Sequence, residues 1–206
     1  NAKYLARLGA ELGASTRVEK AVALAMDGVY DASGTLDESH TEFLISNDWV
    51  FEACAKAEKL LPGASINPKR RDAIDELDRV AAKGAVLNKV LPNAMLFDPA
   101  DKALAPVWRK MADLGLPLLS HIGFEFTLIG HDQSVGYPER LIPALEAGVK
   151  VIAAHGCSNG IFFSEPHLKT MDEMMEKYPD FYVDLSALTL PNRVGALLRL
   201  SRRARW

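Results

Sequence analysis

GLPLLSHIG (Gly115–Gly123) runs from one glycine through a short apolar stretch to a histidine and a second glycine turn. Further along, VKVIAAHG (Val149–Gly156) repeats the layout, with His155 in the place of His121. A histidine that ends an apolar strand at a glycine turn stands where a ligand can approach closely. For one such histidine a structural role is the better reading. Two at equivalent points of successive units point instead to a metal or catalytic centre at the C-terminal rim of a parallel sheet, where barrels and open sheets alike carry their sites.

Working outward, the same grammar recurs. The predicted strands are Ala21–Met26 (AVALAM), Pro62–Ile66 (PGASI), Ala85–Val90 (AVLNKV), Pro117–His121 (PLLSH), Val149–Ala154 (VKVIAA) and Phe181–Leu185 (FYVDL). Helical periodicity fills the intervals. One helix is expected over Val50–Leu61, capped by Asn47 or Asp48 and stopped by Pro62 and Gly63. A second is expected over Arg71–Lys83, with Ile74, Leu77, Val80 and Ala81 as its apolar stripe. Ala105–Leu114 and Pro138–Ala147 follow, and Gly84, Gly115 and Gly148 are stops. Continuously apolar strands separated by helices imply an α/β fold with a parallel sheet. A closed (β/α) barrel of the TIM type and an open doubly wound sheet both satisfy this pattern. No G-x-G-x-x-G follows an early strand, which weakens the dinucleotide-binding form of the open sheet. No linker-like stretch divides residues 1–206, so a single domain is expected.

Charge and composition narrow the function classes. A formal charge of −3, from 24 basic and 27 acidic side chains, gives no field that would recruit nucleic acid or an anionic membrane. Arg202, Arg203 and Arg205 form a concentrated basic run and read as a solvated tail. Cys54 and Cys157 suggest no disulfide framework, so a reducing compartment fits. The chain lacks a long apolar run and a secretory-type start, and a cytoplasmic location with no membrane partner is expected.

Each predicted strand ends near a polar group: Asp27, Asn67, Lys89, His121, His155 and Asp184. Singly, Asp27, Asn67, Lys89 and Asp184 read equally well as turn caps or solvated groups; as a set they describe one rim. Neutral imidazoles suit zinc, manganese or iron, and a metal with an open position makes bound water a nucleophile. His40, His131 and His167 fall in loops or helix flanks and are read as surface residues.

With these residues in view, the chain resembles the amidohydrolase superfamily, specifically the amidohydrolase-2 group of metal-dependent hydrolases of TIM-barrel fold. LAMDGVYD (Leu24–Asp31), GASINPKRRDAIDEL (Gly63–Leu77), GAVLNKVLPN (Gly84–Asn93), GLPLLSHIGFE (Gly115–Glu125), VKVIAAHGC (Val149–Cys157) and YVDLSAL (Tyr182–Leu188) carry the resemblance in order. It implies that His121 is a metal ligand and that His155 contacts substrate, bound water or a second metal. It implies that Lys89 occupies the position where some relatives bridge two metals with a carboxylated lysine. Glu125 would orient substrate or support His121, and Asp27, Asn67 and Asp184 would face the substrate. A divalent ion, zinc ahead of manganese or iron, would be the cofactor. The family's strand-one His-x-His and strand-eight Asp have no counterpart here, so the six predicted strands correspond to the second through seventh of an eight-stranded barrel, and a homo-oligomer is one way to complete it.

The expected activity is hydrolysis of an amide, lactone or ester-like bond in a small organic acid through metal-activated water. Non-oxidative decarboxylation on the same scaffold is the alternative. Two further readings stand beside it: Lys89 as a Schiff-base nucleophile in an aldolase-type barrel, and an incomplete barrel that binds a ligand or partner without turnover.

Overall fold

The computed structural model describes residues 2–130, 132–157, 167–184 and 186. Helix α1 (Ala2–Ala14) precedes strand β1 (Ala21–Leu24). Then follow α2 (Asn47–Cys54), β2 (Leu60–Gly63), α3 (Ala73–Ala82), β3 (Asn88–Val90) and the one-turn α4 (Pro92–Met95). After α5 (Ala105–Asp113) come β4 (Leu118–His121), α6 (Ile142–Glu146), β5 (Val151–Ala154), α7 (Leu168–Lys177) and β6 (Phe181–Val183). β1 pairs with β2, and β3, β4, β5 and β6 pair in that order, all in parallel. A parallel bridge between Ala64 and Asn88, and a 2.7 Å bond from Lys89 N to Ala64 O, tie the two sheets together. Among the described residues, six parallel strands in chain order, alternating with helices, form part of the wall of a (β/α) barrel. The fold class read from the sequence holds.

Strand parity sorts the side chains. Register places Lys89 beside Leu119, Leu119 beside Ile152, and Ile152 beside Tyr182. Because side chains alternate along a strand, His121 falls on the same face as Lys89. The opposite face carries Val90, Leu118, Val151, Ala153, Phe181 and Val183, all fully buried. It packs on the helices through Trp108, Met111, Leu77 and Met175. The indole Nε1 of Trp108 donates to Pro99 O at 3.2 Å, so even this core aromatic has its polar atom satisfied.

Several local expectations are corrected. The cap of α2 is Ser46, whose Oγ accepts from Trp49 N at 3.2 Å, rather than Asn47 or Asp48. That helix ends at Cys54 instead of Leu61, and β2 starts at Leu60 instead of Pro62. The residues between are good helix formers, but pairing of Leu60 and Leu61 with Ala21 and Val22 overrides that weak preference. Helix α3 buries Ala73, Glu76, Leu77 and Val80, leaving Ile74 36% exposed. The stripe is rotated because Glu76 turns inward. It accepts from Asn47 Nδ2 at 2.8 Å and from Arg79 Nε and NH2 at 2.7 Å each, which offsets its desolvation. Pro138–Ala147 opens as a 3-10 turn over Pro138–Leu141 before α6 begins. The glycine stops hold: Gly84 and Gly148 adopt φ of 86° and 91°, a conformation costly for other residues. Among the described residues, no helix is long and apolar enough to cross a membrane.

Candidate functional site

Lys89 lies in β3, His121 closes β4, His155 follows β5 and Asp184 follows β6. Glu125 comes from the loop after β4 and is buried. These five of the seven predicted site residues come together. The His121 and His155 rings meet edge to face at 5.1 Å between centroids, and His121 Nε2 lies 3.8 Å from Glu125 Oε2. Beside them, Lys89 and Glu125 line a cavity of about 520 Å³ whose wall is otherwise largely apolar, with Leu24, Met26, Phe43 and Leu91. A cavity of about 660 Å³ between α1 and α2 shares no lining residue with this group.

Backbone geometry aims His155. His155 has φ of 66° and Gly156 φ of 53°, so the chain turns sharply as β5 ends. The turn is pinned by the Asp184 carboxylate, which accepts from His155 N at 3.0 Å and Ser186 N at 2.8 Å. Ser186 Oγ also donates to Asp184 and lies 2.7 Å from His155 Nδ1. Asp184, Ser186 and His155 thus form one relay, in which the serine was not anticipated. Its only sequence signal is the Asp-x-Ser spacing of a side-chain-capped turn.

The charge states follow from burial. Desolvation pushes the Lys89 ammonium down to about 8, against the pull of Asp184 and Glu125. Burial, then the nearby Lys89 and His155, hold His121 well below the usual imidazole range. His155 is lowered by burial and by Lys89. For Glu125, burial pushes upward, but the amides of Thr127 and Leu128 and the facing His121 outweigh it and keep the carboxyl low. At neutral pH the group therefore presents two neutral imidazoles, two carboxylates and a largely protonated amine.

Asp27 and Asn67 stand apart from this group. Asp27 Oδ1 accepts from Gly28 N and Tyr30 OH, both at 2.9 Å, and Oδ2 accepts from Asn67 N at 2.8 Å and Arg70 NH1 at 3.3 Å. Burial and the Asp27 carboxylate raise the Tyr30 phenol. Asn67 donates to Gly28 O and Met95 O, both at 2.9 Å, and accepts from Lys69 N at 3.0 Å. The polar atoms of both residues are thus engaged inside the protein.

Ser65, which sequence reasoning missed, joins this network to the site. Its Oγ accepts from Asp27 N at 2.9 Å and donates to Lys89 O at 2.7 Å. Ser65→Ala leaves both groups buried and unpaired, and is expected to destabilise the protein by about 1–3 kcal/mol, read as a lower urea midpoint at unchanged slope.

Of the remaining histidines, His40 pairs with Asp37 at 2.7 Å on the surface. His167 packs half-buried on Tyr137, 4.4 Å between ring centres, and His131 lies outside the described residues. Among the described residues, no group of three or more His, Cys, Asp or Glu side chains is placed to hold a metal ion. By themselves these residues offer part of a donor set and do not fit a complete metal centre.

A family model described as amidohydrolase matches residues 3–200. Among solved structures, 2,6-dihydroxybenzoate decarboxylase from Rhizobium is 16% identical, over 77% of this chain and 61% of that chain, with a TM-score of 0.52. 5-Carboxyvanillate decarboxylase from Novosphingobium aromaticivorans, which carries manganese, is 13% identical over 77% and 57%, with a TM-score of 0.56. A Pseudomonas putida protein assigned as a 2-pyrone-4,6-dicarboxylic acid hydrolase is 12% identical over 76% and 57%, with a TM-score of 0.54. The chain thus spans about three fifths of the length of these structures. Comparison with curated proteins gives no match.

Proposed function

The chain belongs to the amidohydrolase family, and from that premise we propose that it forms part of the active centre of a hydrolase cleaving an amide, lactone or ester-like bond in a small organic acid. The observation that carries this reading is the meeting of Lys89, His121, Glu125, His155 and Asp184 beside a largely apolar cavity. In it, Lys89 binds and orients the carboxylate of the substrate, and the cavity wall takes the apolar body. His155, neutral and held by Ser186 and Asp184, accepts and returns a proton at its free ring nitrogen. Glu125 orients His121. Asp27 and Asn67, read from the sequence as substrate-facing, support the strand ends through their internal bonds.

His121 is the ligand proposed for a divalent ion, zinc ahead of manganese or iron, which when bound supplies Lewis acidity; His155, read from the sequence as a second ligand, is assigned to proton transfer instead, because its one free ring nitrogen cannot do both. Among the described residues no set of three or more His, Cys, Asp or Glu side chains is gathered to complete the centre. A homo-oligomer and a cytoplasmic location complete the reading, with one domain over residues 1–206.

Non-oxidative decarboxylation is the second reading, favoured by a single buried ammonium in a mainly apolar wall, which suits an aryl carboxylate. The test is a panel of lactones, amides and aromatic carboxylates, offered to protein equilibrated with zinc or manganese. Hydrolysis is followed by proton release and decarboxylation by released carbon dioxide. Hydrolysed product is the expected result, and carbon dioxide alone would replace the first reading with the second. Substrate binding without turnover would leave a binding protein, and borohydride trapping at Lys89 would turn the site into a Schiff-base centre.

A further inference from the structure

Glu125 is the one member of the site that comes from a loop rather than from the end of a strand, and the loop is held in an unusual way. The Gln133 carboxamide meets both backbone groups of Glu125. Its Oε1 accepts from Glu125 N at 2.9 Å, and its Nε2 donates to Glu125 O at 3.0 Å. A side chain bonded in this two-point fashion stands in for a neighbouring peptide group, giving loop backbone the pairing that a strand would otherwise provide.

The clasp has its own anchor. Asn93, almost fully buried in α4 just beyond β3, donates from Nδ2 to Gln133 Oε1 at 3.1 Å. The strand that carries Lys89 is thereby linked to the loop that carries Glu125. The packing leaves no slack: a Cβ at Gly136 would lie 2.3 Å from Gly123 O and 2.9 Å from both amide atoms of Asn93. Gly136 O accepts from Gly123 N at 2.7 Å, closing the loop on itself two residues beyond His121. With its main chain fixed, Glu125 Oε1 accepts from Thr127 N and Leu128 N at 2.5 and 3.2 Å. Oε2 is left to face His121 Nε2 at 3.8 Å, and Phe124 O, from the same loop, lies 3.3 Å from that nitrogen.

We infer that Gln133, anchored by Asn93, is a positioning residue of the site, holding the loop at Glu125 so that Phe124 O and the Glu125 carboxylate together set the orientation of the His121 ring. This rests on the proposed active centre for its purpose, but its structural content is measurable without any substrate.

The test is nuclear magnetic resonance of the purified chain at one fixed pH, comparing wild type with Gln133→Met and Gln133→Glu. The first substitution keeps length and removes both hydrogen bonds; the second keeps shape and puts an acceptor against Glu125 O. In both, amide exchange at Thr127 and Leu128 should rise about tenfold or more while the strand amides of Val90 and Ala153 hold. The His121 ring nitrogen shifts should move as well. Unchanged exchange and unchanged His121 shifts in either folded variant overturn the inference, because Gln133 would then be a surface tether only. If one variant does not fold, the other decides.

With any substrate found in the panel, kcat should fall about tenfold with KM within about twofold, since the carboxylate anchor at Lys89 is untouched. A fall in KM-linked binding alone would overturn the positioning role. A panel without turnover sinks the proposed activity and leaves the resonance result to stand or fall by itself.

Discussion

Lys89→Met is expected to raise the unfolding free energy at pH 7 while removing the site's hold on carboxylates. The amine is buried, and its pKa falls from 10.5 in the unfolded reference to about 8 in the folded protein. Between these values the unfolded chain binds a proton that the folded chain does not, so stability rises with pH across that window. Below about pH 8 both states are protonated and the folded protein carries the full cost of a buried ammonium, roughly 3 kcal/mol. The attraction of Asp184 and Glu125 is already contained in that net shift. Methionine has similar length and no charge to desolvate, so urea unfolding at pH 7 should show a gain approaching this figure and a loss of the alkaline rise. In the same variant, calorimetric titration with benzoate should weaken about 100-fold, as expected for removing one partner of a desolvated ion pair. A variant no more stable than wild type, or one that binds benzoate equally well, would remove the buried ammonium from the account.

His155→Asn should lower turnover by about 10²–10⁴-fold, the range for loss of a positioned proton-transfer group. Asparagine is chosen because it tolerates the left-handed backbone that His155 adopts at φ of 66°. The turn, and the Asp184 bond to the backbone N–H of residue 155, should survive. Stability is therefore expected to stay within about 1 kcal/mol of wild type, whereas His155→Ala adds a left-handed penalty of about 1–2 kcal/mol. Turnover within about threefold of wild type in the folded asparagine variant would exclude His155 as the proton carrier.

The parts of this site that lie on strands were legible in the sequence. Six apolar runs gave six strands, and their ends put Lys89, His121, His155 and Asp184 near one rim; that Lys89 and His121 share a face follows from the register. Glycine turns after His121 and His155 marked where the chain leaves the sheet. Legibility failed where a residue's role is set by a partner distant in sequence. Asp27 and Asn67 looked like rim groups until their bonds to Tyr30, Arg70 and Met95 were in place. Glu76 sat on the predicted polar side of α3 and is drawn inward by Asn47, 29 residues away. Gln133, Asn93 and Ser65 carry no periodic signal at all. Their importance comes from a carboxamide or hydroxyl that meets backbone groups across loops, which spacing along the chain does not encode.

The order of the strands has a consequence for how the site comes into being. Each strand pairs with the one synthesised just before it, so no pairing waits on a distant part of the chain. A chain emerging from the ribosome can dock one unit at a time, which keeps the sequence separation of its contacts short for a parallel sheet. Lys89 is then in place before His121, and His121 before His155. Asp184, which pins the turn at His155, arrives with β6. Formation of the site is thereby coupled to β6: nascent chains that stall before it hold the amine and both imidazoles but lack the carboxylate that fixes the second one, and so remain unprimed until β6 docks.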